Sequence, residues 1–191
     1  MPTRADAWDL LNEYVKEPSL VRHVMAVEAA MRAYARKLGQ DEEKWAIVGL
    51  LHDFDYERWP DPPAHPLEGS KILREKGYPD DVIYAILSHA DYLSDRYPRV
   101  NLIDKALYAC DELAGLIHAT ARLRPGGIMD LTAASVLKKM KKKDFARNIN
   151  REDVARGAQD FGVDLAEHVQ FEIDAMKSIA TELGLESGAG E

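Results

Sequence analysis

The chain has 191 residues, 46% of them hydrophobic, which is enough for one sizeable core. Lysine and arginine number 25 against 33 aspartates and glutamates, and a formal charge of −8 argues against a general binder of nucleic acid or of anionic membrane. The longest uncharged apolar stretch, Trp45–Leu51, is far short of the ~20 residues of a membrane span. No hydrophobic leader is visible at Met1–Trp8, and the lone Cys110 excludes an internal disulfide and suits a reducing cytoplasm.

Helical periodicity runs through most of the chain. Leu20, Val24, Val27, Met31, Tyr34 and Leu38 recur at spacings of three and four, and Gly39 ends the stripe. Residues 42–53 are apolar on almost every face, which predicts a central buried helix. Pro60, Pro62, Pro63 and Pro66 predict a loop over 54–66. A helix follows from Leu67 to Lys76, then another that starts at Pro79-Asp80-Asp81 and carries Val82, Ile83, Ile86, Leu87 and Leu93. A long stripe from Leu102 to Leu123 closes at Pro125-Gly126-Gly127. Weaker helices are expected at 130–142 and 150–160, and a last one at 164–183 behind a capping box of Asp164 and Glu167. No segment alternates with period two. The expectation is an all-α single domain over 1–183, with a flexible tail at 184–191.

Polar residues that interrupt apolar stripes carry the chemistry. His23 flanks the Leu20–Leu38 stripe, His52-Asp53 end the most hydrophobic helix, His89 sits between Ile86 and Leu93, and Asp111 between Leu107 and Ala114. A buried carboxylate needs a counter-charge. Lys105 or Arg122 would serve for Asp111 alone, and any one histidine is as readily a satisfied core residue. The joint order His23, His52-Asp53, His65, His89, Asp111 points instead to a divalent metal site. His118 and His168 fall outside that order and read as structural or surface residues, and Cys110 reads as core.

With these residues the sequence resembles the HD-domain superfamily of metal-dependent phosphohydrolases over at least residues 20–115. That family places a histidine on one helix, a His-Asp pair at the end of the next and an aspartate on a later helix, matched here by His23, His52-Asp53 and Asp111. His65-Pro-Leu-Glu-Gly69 and Ile86-Leu-Ser-His89-Ala-Asp91 resemble the extended, HDIG-type version, which binds two metals. The C-terminal part resembles a small subgroup of bacterial and archaeal predicted hydrolases. Gly77-Tyr78-Pro79 precedes His89 and so is not the motif of the cyclic-dinucleotide phosphodiesterases.

The resemblance implies one or two divalent transition-metal ions (Mn, Fe, Co, Ni or Zn), a nucleotide or other small phosphorylated metabolite as substrate, and a metal-activated water. His23, His52, Asp53 and Asp111 would hold the first ion, and Asp53, His65 and His89 the second. Adjacent helical residues are ~100° apart, so His52 and Asp53 reach one ion only if the helix ends there. Lys105, nearly two turns before Asp111, is the expected phosphate contact. Asp91 and Glu68 are candidates for orienting a ligand or moving a proton. Asp55-Tyr56-Glu57 would stand at the mouth. Lys138–Lys143 reads as a solvated face or as a wall that attracts anions. Two rivals share the pattern: a diiron oxygenase on the same scaffold, such as myo-inositol oxygenase, and a non-catalytic module stabilised by metal.

Overall fold

The computed structural model describes residues 1–187, and every regular element among them is helical, in agreement with the all-α expectation. The helices are α1 (Arg4–Tyr14), α2 (Pro18–Leu38), α3 (Glu42–Leu51), α4 (Ala64–Glu75), α5 (Asp80–Ser88), α6 (Leu102–Ala121), α7 (Ala133–Met140), α8 (Arg151–Phe161) and α9 (Leu165–Lys177), with a short 3₁₀ turn at Asp91–Leu93. Within the span expected as one domain the backbone forms two compact units, Met1–Leu107 and Tyr108 onward, and the boundary falls inside α6. None of the described helices is long and apolar enough to cross a membrane.

In the first unit α3 is the buried centre. Every residue from Trp45 to Leu51 is buried, and the helix packs against α1, α2 and α5. Its start is set by Asp41, whose side chain accepts from Lys44 N–H, with Glu42 and Glu43 at the positive end. Gly49 lets α2 and α3 touch, because a Cβ there would lie 2.9 Å from Glu28 Cα. The Glu28 carboxylate is buried at that contact and takes a two-point bond from Arg4 and a third from Arg32. Val24, Val27, Met31 and Tyr34 of α2, Ile83, Ile86 and Leu87 of α5, and Phe54 and Leu73 complete the apolar interior. Each such side chain contributes about 1.5–3 kcal/mol on burial.

The second unit contains the rest of α6 with α7, α8 and α9, and α9 packs against both α7 and α8. Asn150 caps α8 at its start, and Gly162, at φ 78°, turns the chain out of it. Gly157 brings α8 onto the backbone of α6, where a Cβ would stand 2.8 Å from Ala109 Cα.

Several boundaries differ from expectation. Helix α1, capped by Thr3 and Asp6, carries only three buried residues, too short a stripe to stand out in the sequence. Helix α5 stops at Ser88 rather than running to Leu93, and α9 stops at Lys177, giving way to turns through 184. Part of the segment expected as a flexible tail from 184 is ordered against the second unit. Leu185 is fully buried and its carbonyl accepts from Ile128 N–H at 2.8 Å; positions 188–191 of that expected tail lie outside the described residues.

Candidate metal centre

Local backbone geometry explains how four histidines of the first unit meet. Helix α3 ends at Leu51, and His52 is its C-cap, so the chain turns as it delivers His52 and Asp53 side by side. His89 is likewise the C-cap of α5. Each ring spends one nitrogen on its own helix end: His52 Nδ1–H donates to Gly49 O at 2.8 Å, and His89 Nδ1–H donates to Ile86 O. These carbonyls belong to the last turn, which lacks intrahelical donors. His65 reaches the same place from an extended backbone (ψ 136°), as the residue before Pro66 must. His23 arrives from the second turn of α2.

The Nε2 atoms of the four rings converge around Asp53, whose side chain is 16% exposed. Asp53 Oδ2 faces His23 Nε2 at 3.8 Å and His52 Nε2 at 3.6 Å. Asp53 Oδ1 faces His65 Nε2 at 3.2 Å and His89 Nε2 at 3.5 Å. Within each pair the Nε2 atoms are 3.2 Å and 3.3 Å apart. Asp53 thus presents one oxygen to each of two histidine pairs. Burial by itself would raise the Asp53 carboxyl; the surrounding imidazoles, His52 and His65 foremost, hold it well below the usual carboxylate range. For His65 burial would lower the pKa, and the Asp53 and Asp55 carboxylates overcome it and push it up to about 9.

This arrangement fits a metal. Fixing Nδ1–H on a carbonyl or carboxylate leaves Nε2 as the lone pair, and three of the four rings are fixed that way. Donor atoms of Asp53, His65 and His89 all lie within 4.8 Å of one another, a spacing that closes on one ion.

The other expected residues are placed as follows. Asp111 is half-buried on α6, beyond the boundary at Leu107, in the second unit. Lys105 is half-exposed on the part of α6 that belongs to the first unit. Asp91 accepts from Arg99 Nη2 at 2.8 Å, and the same guanidinium donates to Ser88 O. Glu68 pairs with Lys71 at the surface. Of the lysine run, Lys138 and Lys141–Lys143 are exposed and Lys139 lies over the Phe145 ring, as a solvated face requires. His168 and Cys110 are buried, in keeping with their reading as structural and core residues.

Asp55 went unrecognised in the sequence beyond a place at the mouth. It is fully buried, accepts from His65 Nδ1–H at 2.7 Å, and takes Gly69 N–H at 2.8 Å on its other oxygen. A Cβ on Gly69 would stand 2.7 Å from that carboxyl, so only glycine admits it. The available signal was Gly69 four residues after His65. Tyr92 was also missed: its O–H donates to His65 O. Tyr56, expected at the mouth, has an exposed ring that meets the His65 ring edge-on at 5.2 Å.

A family model described as HD domain matches residues 20–116, just over half of the chain. No solved structure matches it.

Proposed function

The chain belongs to the HD-domain family, and on that premise we propose that it is a metal-dependent phosphohydrolase that cleaves a phosphate ester of a nucleotide or another small phosphorylated metabolite. The family is typically one of metal-dependent phosphohydrolases. The observation that carries the proposal is the division of Asp53: its two oxygens serve two separate histidine pairs, as a carboxylate shared by two ions must. His23, His52 and Asp53 would hold one ion, and Asp53, His65 and His89 the other. The order of residues in the sequence adds Asp111 to the first set. Imidazole-rich donors suit Mn, Fe, Co, Ni or Zn better than Mg.

When bound, such ions polarise a phosphoryl oxygen and make a bound water acidic enough to attack at neutral pH. The protein's own groups then have defined tasks. Asp55 holds the Nδ1 proton of His65, so that Nε2 stays a donor. Lys105 binds the phosphate oxygens, and no protein nucleophile is required. Asp91, bound at one oxygen to Arg99, is assigned the proton-transfer role; Asp91→Asn keeps an acceptor for Arg99 and removes the acid. A cytoplasmic setting belongs to this reading, supported by the free, buried Cys110.

The test is reconstitution of metal-free protein with Mn, Co or Zn under strict anaerobiosis, assayed against nucleotides and sugar phosphates. Phosphate release is expected. Failure with every phosphorylated substrate, together with O₂ consumption by the iron-loaded form, would establish the oxygenase rival instead.

A further inference from the structure

The second unit contains a different convergence of metal-type donors. Cys110 on α6 and His168 and Glu172 on α9 offer a thiol, an imidazole nitrogen and a carboxylate oxygen that all lie within 4.8 Å of one another. His168 and Glu172 are four residues apart and share a face of α9. All three are sealed from solvent, at 0%, 1% and 0% exposure for Cys110, His168 and Glu172. The close approach of α8 at Gly157 covers Ala109, the neighbour of Cys110.

Glu172 sets this group apart from an ordinary core. Both of its oxygens are buried and lack a well-formed hydrogen bond, with the Cys110 thiol the side chain that interacts with them. Among the described residues its ion-pair contact is His168, with Nε2 3.8 Å from Oε2, and that nitrogen's hydrogen is directed to Ala109 O at 3.0 Å. Burial pushes the Glu172 carboxyl well up, against a hydrogen bond from the Cys110 thiol that lowers it; burial and Glu172 push the Cys110 thiol up. Two acids that resist ionisation in isolation sit side by side with an imidazole.

We propose that Cys110, His168 and Glu172 form a buried site for a divalent ion of the zinc type. Thiolate and carboxylate together carry two negative charges, which one divalent ion neutralises in a site sealed from bulk solvent. Binding moves one proton from Cys110 and one from Glu172 to solvent, and His168 gives up its bond to Ala109 or turns its ring so that a nitrogen lone pair faces the ion. Sulfur and nitrogen donors select zinc or cobalt over magnesium or calcium. Zinc bonds of about 2.0–2.3 Å put tetrahedral donors roughly 3.3–3.8 Å apart, within reach of small side-chain rotations from the observed spacing. The fourth place falls to a water or a backbone carbonyl.

The chain's single cysteine makes the test specific. Cobalt(II) is supplied to the native full-length protein and, separately, during its refolding, and the near-ultraviolet thiolate-to-cobalt band is recorded. The band should appear in wild type and in Asp53→Ala, which lacks the bridging group of the first unit. It should vanish in Cys110→Ser and weaken at least tenfold in Glu172→Gln. Elemental analysis should show one zinc ion retained by Asp53→Ala. Absence of the band in wild type under both loading conditions would overturn the site, as would its persistence in Cys110→Ser.

Discussion

Asp55 Oδ1 lies 2.7 Å from His65 Nδ1, and the other oxygen of Asp55 is held by the backbone of Gly69, four residues beyond His65. A ring from a loop is thereby fixed by the helix that follows it. Removing the charge of such a partner weakens metal affinity about 10–100-fold. Asp55→Asn should do so at the His65 and His89 position, and Gly69→Ala should act in the same direction by displacing the carboxyl. Competition against a chelator measures both, and wild-type affinity in Asp55→Asn would remove Asp55 from the centre.

His65→Ala and His89→Ala should each release one ion and lower phosphate release by at least about 100-fold. The ion held by His23 and His52 should remain. Asp53→Ala, which takes an oxygen from each pair, should release both from the first unit. Elemental analysis beside a single-turnover assay separates these outcomes, and Asp111→Ala in the same series tests the ligand assigned from sequence order.

Lys105→Ala should raise KM or lower kcat while metal content stays constant. Lys141→Ala, altering an exposed side chain of the second unit, should change neither parameter appreciably. Equal and negligible effects would return Lys105 to an ordinary half-exposed lysine.

Gly49→Ala should destabilise the fold by about 1–3 kcal/mol, because the added Cβ meets helix backbone at Glu28 that has no room to yield. Urea unfolding checks the figure; an unchanged midpoint would mean that α2 and α3 separate without cost.

Asp104 supplies a pH dependence. One of its oxygens accepts three bonds from Val100 and Asn101, while the other is buried with none, and burial raises its pKa above 3.8. The folded state therefore holds this proton more tightly than the unfolded chain does. The associated stability is present below the unfolded pKa and is lost as pH rises through the folded one. Asp104→Asn has no charge to bury, so its stability relative to wild type should improve as the pH rises above about 4. A pH-independent difference between the two proteins would contradict this.

The helical class and the buried nature of α3 were legible from spacing along one helix, and the four histidines beside Asp53 from their joint order and the family that order resembles. His52 falls where an apolar stripe ends, His89 interrupts one, and Pro66 keeps His65 outside the regular helix; all three are local signals. Asp55 was not legible, since its value lies in bonds to residues 10 and 14 positions away. Glu172 was hidden for a related reason. It occupies a core position of α9 between Val169 and Ile173, and only the third dimension shows that both of its oxygens lack a well-formed hydrogen bond. The end of α5 escaped notice because Leu93 continues the apolar spacing past His89, while the chain has already turned at Ala90.

Because His52 and His89 each cap the helix that carries them, their Nε2 atoms are tied to the lengths of α3 and α5. Adding one residue inside either helix would swing its terminal ring by about 100° and advance it by about 1.5 Å. The segment from 54 to 59 is pinned by contacts rather than by helix length: Phe54 and Asp55 are buried, and Glu57 accepts from Lys16 and Glu17 N–H at 2.7 Å and 2.9 Å. Insertions should therefore be tolerated within the exposed stretch 60–63 and be ruinous within 42–52 or 80–89, which makes segment length as much a requirement of this centre as residue identity.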